Sequence, residues 1–103
     1  MATADDVHRI ALSLAGTTAA PHMDRTAFRV RRIYATLAAD GHSMNIKLSP
    51  EEQELKAMMA PAIFAAIPNG WGRQGWTSVD LTAIEPNELV AALTMAWEHG
   101  RAK

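Results

Sequence analysis

The sequence predicts a two-layer α+β domain, an antiparallel β-sheet with helices packed on one face, in the order α-βββ-α-ββ-α. Two observations carry this expectation. Folding the chain at Asp40-Gly41 gathers six apolar residues on one face of a hairpin. Three other stretches carry helix start and stop signals around apolar residues at helical spacing. With 103 residues, the whole chain, 1–103, reads as a single domain, and no linker or internal repeat divides it.

The first helix starts after Thr3, a capping residue, with Asp5 and Asp6 in the first turn where the helix dipole favours anions. Val7, Ile10, Ala11 and Leu14 follow at i, i+3, i+4 and i+7, and Gly16 supplies the stop. A meander over about Thr26 to Leu48 comes next. Asp-Gly is a two-residue type I′ hairpin signal. It pairs Leu37 with Met44, Ala35 with Ile46 and Ile33 with Leu48. If Arg31-Arg32 forms the preceding turn, Val30 pairs with Ile33 and Phe28 with Ala35 on that same face. Phe28, Val30, Ile33, Ala35, Leu37, Met44, Ile46 and Leu48 are then expected to be buried together. The opposite face collects Arg29, Tyr34, Thr36, Asn45 and Lys47, a polar and basic surface with one aromatic ring.

The second helix opens on Ser49-Pro50-Glu51-Glu52. Ser49 is the N-cap, Pro50 stands at N1, and Glu52 at N3 completes a capping box. Leu55, Met58 and Met59 form its apolar stripe and Pro61 ends it. Ile63 to Ile67 reads as a strand, Asn69-Gly70 opens a loop, and Trp76 to Leu81 alternates as a last strand with Thr77, Val79 and Leu81 inward. The third helix starts at Pro86 with Leu89, Val90, Leu93, Ala96 and Trp97 on one side, and Gly100 ends it. Trp97, on that stripe, is read as core.

Ten basic against eleven acidic residues exclude a strongly basic protein that coats nucleic acid, and equally an acidic tail. They leave room for a local basic patch. Cysteine is absent, so neither a disulfide framework nor a thiolate metal site is available, which is compatible with a reducing cytosol. The N-terminus has no basic start followed by a long apolar stretch. The most apolar run, Met58 to Pro68, is split by Pro61 and too short to span a bilayer. A soluble, cytoplasmic protein with no membrane partner is expected.

Chemistry-bearing motifs are sparse. Gly70 to Gly75 spells G-x-G-x-x-G, but a strand follows it where a dinucleotide site needs a helix. It reads instead as a hairpin loop whose glycines supply positive φ. His8, His22, His42 and His99 are scattered without metal-ligand spacing, and no G-x-S-x-G elbow selects a nucleophile among Ser13, Ser43, Ser49 and Ser78. No catalytic residue, cofactor or metal ligand is assigned, and a non-catalytic protein is expected. Arg25, Arg29, Arg31, Arg32 and Arg73 fall in turns, loops or on the outward strand face. They form either a solvated surface or a phosphate-contacting one. Trp71 is either a lid over the core edge or an exposed stacking group.

Several runs together resemble the MmcQ/YjbR family of small bacterial proteins. They are Pro21-His22, Ala27-Phe28-Arg29-Val30, Ile33 to Leu37, Lys47 to Gln53, and above all Gly70 to Leu81. The resemblance extends from the first helix to the last. It implies an α+β layer of antiparallel sheet and helices, and a DNA-binding role through two hairpin wings. It implies no cofactor and no catalytic motif. Many members place a glycine in the first hairpin turn, where this chain has Arg31-Arg32 and so more charge. The second wing carries only Arg73.

Two functions follow as expectations. One is weak, sequence-independent DNA binding by Arg29, Arg31, Arg32, Lys47 and Arg73 on backbone phosphates, with Trp71 or Tyr34 stacking. The other is a protein-interaction or small-ligand module on an open sheet face around Tyr34, Lys47 and Trp76, its protein partner unknown. A continuous basic stripe would favour the first, a concave pocket lined by Trp76 and Tyr34 the second.

Overall fold

The computed structural model describes residues 1–102. Ten elements follow along the chain: α1 (Ala4–Ser13), β1 (Thr18–His22), β2 (Arg25–Arg29), β3 (Ile33–Leu37), β4 (Ser43–Lys47), α2 (Pro50–Met59), β5 (Phe64–Ala66), α3 (Gly70–Arg73), β6 (Trp76–Asp80) and α4 (Pro86–Arg101). The strands form one open antiparallel sheet in the order β1-β2-β3-β4-β6-β5. This is the expected α+β architecture with one strand and one helix more than expected: β1, and the short α3, which stands where a hairpin loop was read.

The helix starts are built as the sequence implies. Thr3 and Asp6 form a capping box on α1, and Ser49 and Glu52 form another on α2. Each box satisfies two backbone N–H groups that a helix start leaves without partners. Two of the three expected pairs of the central hairpin form, Ala35 opposite Ile46 and Leu37 opposite Met44; Ile33 does not pair with Leu48, whose N–H bonds the Gly75 carbonyl instead. The hairpin turn is longer than a type I′ pair. Gly41 has φ 75°, but Asp40 keeps a negative φ, and Ala38 still bonds the Ser43 carbonyl through its N–H.

The core lies between the sheet and the pair α1 and α4. Phe28, Ala35, Leu37, Met44, Ile46, Val79 and Phe64 are buried beneath Val7, Ile10, Leu89 and Leu93. Burial of a large apolar side chain contributes roughly 1.5–3 kcal/mol, so this layer is the main stabilising element. Leu48 is buried as expected, and Val30 is half-buried against the core.

Ile33 and Tyr34 depart from the expected faces. Phe28 pairs with Ala35, but Arg29 pairs with Ile33, so Tyr34 is an extra residue between two pairs. Such a bulge resets the alternation and turns two successive side chains to one side. Tyr34 therefore faces the helices with Ala35, fully buried, and Ile33 faces outward with Arg29. The Tyr34 hydroxyl shares a 2.8 Å hydrogen bond with Thr17 Oγ1 and lies 3.4 Å from the Ala11 carbonyl. Burial raises its pKa, against a smaller opposing effect of the Thr17 bond. Tyr34 is thus a core residue and neither stacks on a ligand nor lines an open-face pocket.

Other differences concern exposed elements. β1 was not expected. Its five residues are all exposed, so no apolar alternation marks it, and pairing with β2 alone makes it a strand. The apolar stripe of α2 is not buried: Leu55, Met58 and Met59 face solvent, because α2 lies along the short edge strand β5 rather than over the sheet. Val90 is exposed as well. Trp97 is half-buried, donating its Nε1–H to the Ala15 carbonyl at 2.9 Å with Arg101 over its ring. Gly100 does not end α4 but lies within it, against Tyr34.

Candidate functional site

The sheet face away from α1 and α4 carries a cleft of about 670 Å³. Its floor comes from four neighbouring strands: Arg25 and Arg29 on β2, Ile33 and Thr36 on β3, Asn45 on β4 and Trp76 on β6. The bulge at Tyr34 is what places the Ile33 side chain in that floor, next to Arg29. The β1–β2 turn, with His22, Met23 and Asp24, forms one wall. Ile67, Asn69 and Trp71 form the other, and Arg32 closes an end.

Each wall is held by local backbone chemistry. The β1–β2 turn has only two residues between paired His22 and Arg25, and its first, Met23, has φ 59°. A side chain there costs about 1–2 kcal/mol relative to the right-handed region. Met23 is nevertheless 93% exposed at the rim. On the far wall, Asn69 caps α3 by accepting the Trp71 N–H at 2.9 Å, which leaves the Trp71 ring 60% exposed.

The glycine-rich run serves close backbone approach. A Cβ on Gly72 would stand 1.7 Å from the Ile67 carbonyl oxygen, and one on Gly75 1.8 Å from that of Leu48. Of the three glycines in this run only Gly75 has positive φ, at 107°. Gln53 on α2 completes the clamp, its amide donating to the carbonyls of Gly72 at 3.0 Å and Trp76 at 2.8 Å. These contacts fix Trp71 and Trp76 on the cleft.

Arg25 is braced by Thr36: its Nε donates to Thr36 Oγ1 at 2.9 Å and Nη2 to the Thr36 carbonyl at 3.1 Å. Arg29 and Arg32 make no hydrogen bond to another side chain among the described residues and remain exposed. Asp24 is the one acidic residue lining the cleft among those described. The site therefore presents three guanidinium groups and two indole rings.

Of the expected site residues, Arg29, Arg32, Trp71 and Trp76 come together here. Arg31 and Arg73 are exposed but do not line the cleft. Lys47 lies in an adjoining notch of about 300 Å³, which shares Arg32, Ile33 and Trp76 with the cleft. Its ammonium donates to the carbonyls of Gln74 at 2.6 Å and Leu48 at 3.1 Å. Desolvation lowers the Lys47 pKa, and nearby Arg32 adds to this against the attraction of Glu52. Met23, Asn69 and Gln53 were missed; a turn strand with no apolar pattern and a cap three residues beyond a strand give little signal. Among the described residues no three His, Asp or Glu side chains gather as a metal site, and no helix is long and apolar enough to cross a membrane.

No curated protein matches the chain. Its fold is similar to that of the Deinococcus radiodurans protein DR2400, a DUF419 family domain known from a crystal structure. The TM-score is 0.79 at 21% identity, over 94% of this chain and 77% of that one. The YjbR family model matches residues 12–99, a span that holds the whole meander, the glycine clamp and both tryptophans of the cleft. The chain belongs to the YjbR family.

Proposed function

We propose that the chain is a non-catalytic binding module that takes single-stranded nucleic acid across the open face of its sheet, weakly and without sequence preference. The observation that carries this reading is the convergence of Arg29, Arg32, Trp71 and Trp76 on one cleft. Guanidinium groups suit backbone phosphates, and indole rings stack on any base. The cleft favours an unpaired strand over a duplex, because bases can reach Trp71 and Trp76 only when they are free of a partner. The contacts lie on the sheet floor and its rim, while Arg31 and Arg73 at the two tips play a minor part.

A second reading draws on the concavity. A volume of about 670 Å³ suits a small planar anion, since ligand pockets commonly span roughly 300–1,000 Å³. Fluorescence anisotropy of an end-labelled thymidine oligomer separates the two. Binding in the range of about 1–100 μM at low salt is expected, with a log–log salt slope near −1.4 if two phosphates are neutralised. A duplex should bind more weakly than the strand. A mononucleotide that binds as tightly as the oligomer would favour the small-ligand reading, and no binding at low salt would overturn the nucleic-acid reading.

A further inference from the structure

The notch beside the cleft has a composition of its own. Lys47 reaches it from β4 and Arg32 from the β2–β3 turn, and Trp76 and Ile33 make its apolar sides. His99, Gly100 and Ala102, at the end of α4, wall it off on the side away from the cleft. Among the described residues none of those lining it is acidic. Glu52, whose charge acts on Lys47, does not line the notch; it accepts the Ser49 N–H at 2.8 Å and pairs with His99 Nε2 at 2.7 Å. Among the described residues, two cations thus face a small space whose lining carries no counter-charge of its own.

The carbonyl end of a helix ordinarily repels an anion. Here two of those carbonyls are already occupied. The Gly100 oxygen accepts the Arg32 N–H at 2.9 Å, and the His99 oxygen accepts the Ala102 N–H at 3.4 Å. Lys47 holds two carbonyls, and an ammonium has three protons, so one donor remains for a ligand.

We propose that this notch is a subsite for a terminal phosphate, the end group of a strand whose bases lie in the cleft. The inference rests on the nucleic-acid reading above. A notch walled on one side by the end of α4 and joined on the other to a longer cleft suits the end of a ligand rather than its middle. A terminal phosphomonoester carries nearly two negative charges at neutral pH against one for a phosphodiester, which matches the paired cations.

The test compares three thymidine oligomers of equal length on the wild-type protein: 5′-phosphate, 3′-phosphate and hydroxyl at both ends. One phosphorylated end should bind roughly tenfold tighter than the hydroxyl strand at low salt. Inorganic phosphate should remove that advantage by competition if a lone anion also occupies the notch, and leave it intact if the attached strand is required; both results support the subsite. Lys47→Met should bring the phosphorylated strand down to the affinity of the hydroxyl strand. Equal affinity of all three oligomers for the wild-type protein would overturn the subsite and leave the cleft reading standing. Absence of binding by all three would overturn both. The wild-type comparison decides the matter even if the Lys47 variant fails to fold.

Discussion

Gly100 and Tyr34 meet with no space between them: a Cβ on Gly100 would stand 2.8 Å from the Tyr34 Cβ and 3.0 Å from its ring. The bulge in β3 turns Tyr34 toward α4, and α4 accommodates it by having no side chain at that position. The same turn of α4 accepts the Arg32 N–H through the Gly100 carbonyl. One contact therefore sets both the depth of α4 on the sheet and the position of Arg32 at the cleft.

Gly100→Ala should destabilise the protein. In an unconstrained helix interior this change stabilises by about 1 kcal/mol. Here the obstructing atom is next to the Tyr34 backbone and cannot swing away, and overpacking of that kind costs typically 1–3 kcal/mol. Urea unfolding should give a lower midpoint than wild type.

Tyr34→Phe separates a core role from a stacking role. It removes the hydroxyl shared with Thr17 and should cost on the order of 1 kcal/mol. Strand affinity should not change, because Tyr34 lies beneath the sheet. A loss of affinity without loss of stability would contradict this placement.

Arg31 and Arg32 are adjacent in sequence but not equivalent in position. Arg32→Ala should reduce the magnitude of the salt slope on single strands by about 0.7, the share of one phosphate. Arg31→Ala should leave the slope nearly unchanged. Anisotropy titrations at several salt concentrations distinguish the two variants.

Glu52 couples the α2 cap to acid stability. Burial alone would raise its pKa, but the Ser49 N–H and the His99 ring outweigh that and hold it below the ordinary glutamate value. A carboxyl lowered in the folded state adds stability above its unfolded pKa and loses it as pH falls through the folded one. The midpoint difference between wild type and Glu52→Gln should therefore be largest near neutrality and shrink as pH falls through and below the ordinary glutamate value of about 4.3. A difference independent of pH would mean that the charge of Glu52 is not engaged. Ser49→Ala, removing the other half of the cap, should cost about 1 kcal/mol with no change in binding.

Met23 offers a gain. With φ 59° at an exposed turn, Met23→Gly relieves backbone strain and should raise the melting temperature, by an amount corresponding to about 1 kcal/mol at most. The same change removes an apolar rim group, so strand affinity should fall slightly as stability rises.

Local chemistry determined much of this molecule. The boxes Thr3–Asp6 and Ser49–Glu52 are complete within four residues, so both helix starts were legible. The pairing of Leu37 with Met44 followed from apolar alternation on either side of one turn. The outward positions of Arg29 and Trp76 followed from period two. Tertiary structure alone decided the rest. No local signal marks Tyr34 as the bulged residue, since its burial depends on a glycine 66 positions later in α4. β1 exists only because β2 offers an edge, and α2 exposes its apolar stripe only because the sheet is too narrow at β5 to cover it. The cleft itself joins a turn at Met23 to a helix start at Trp71, and chain segments that far apart are brought together by packing free energy rather than by any pattern that either segment carries.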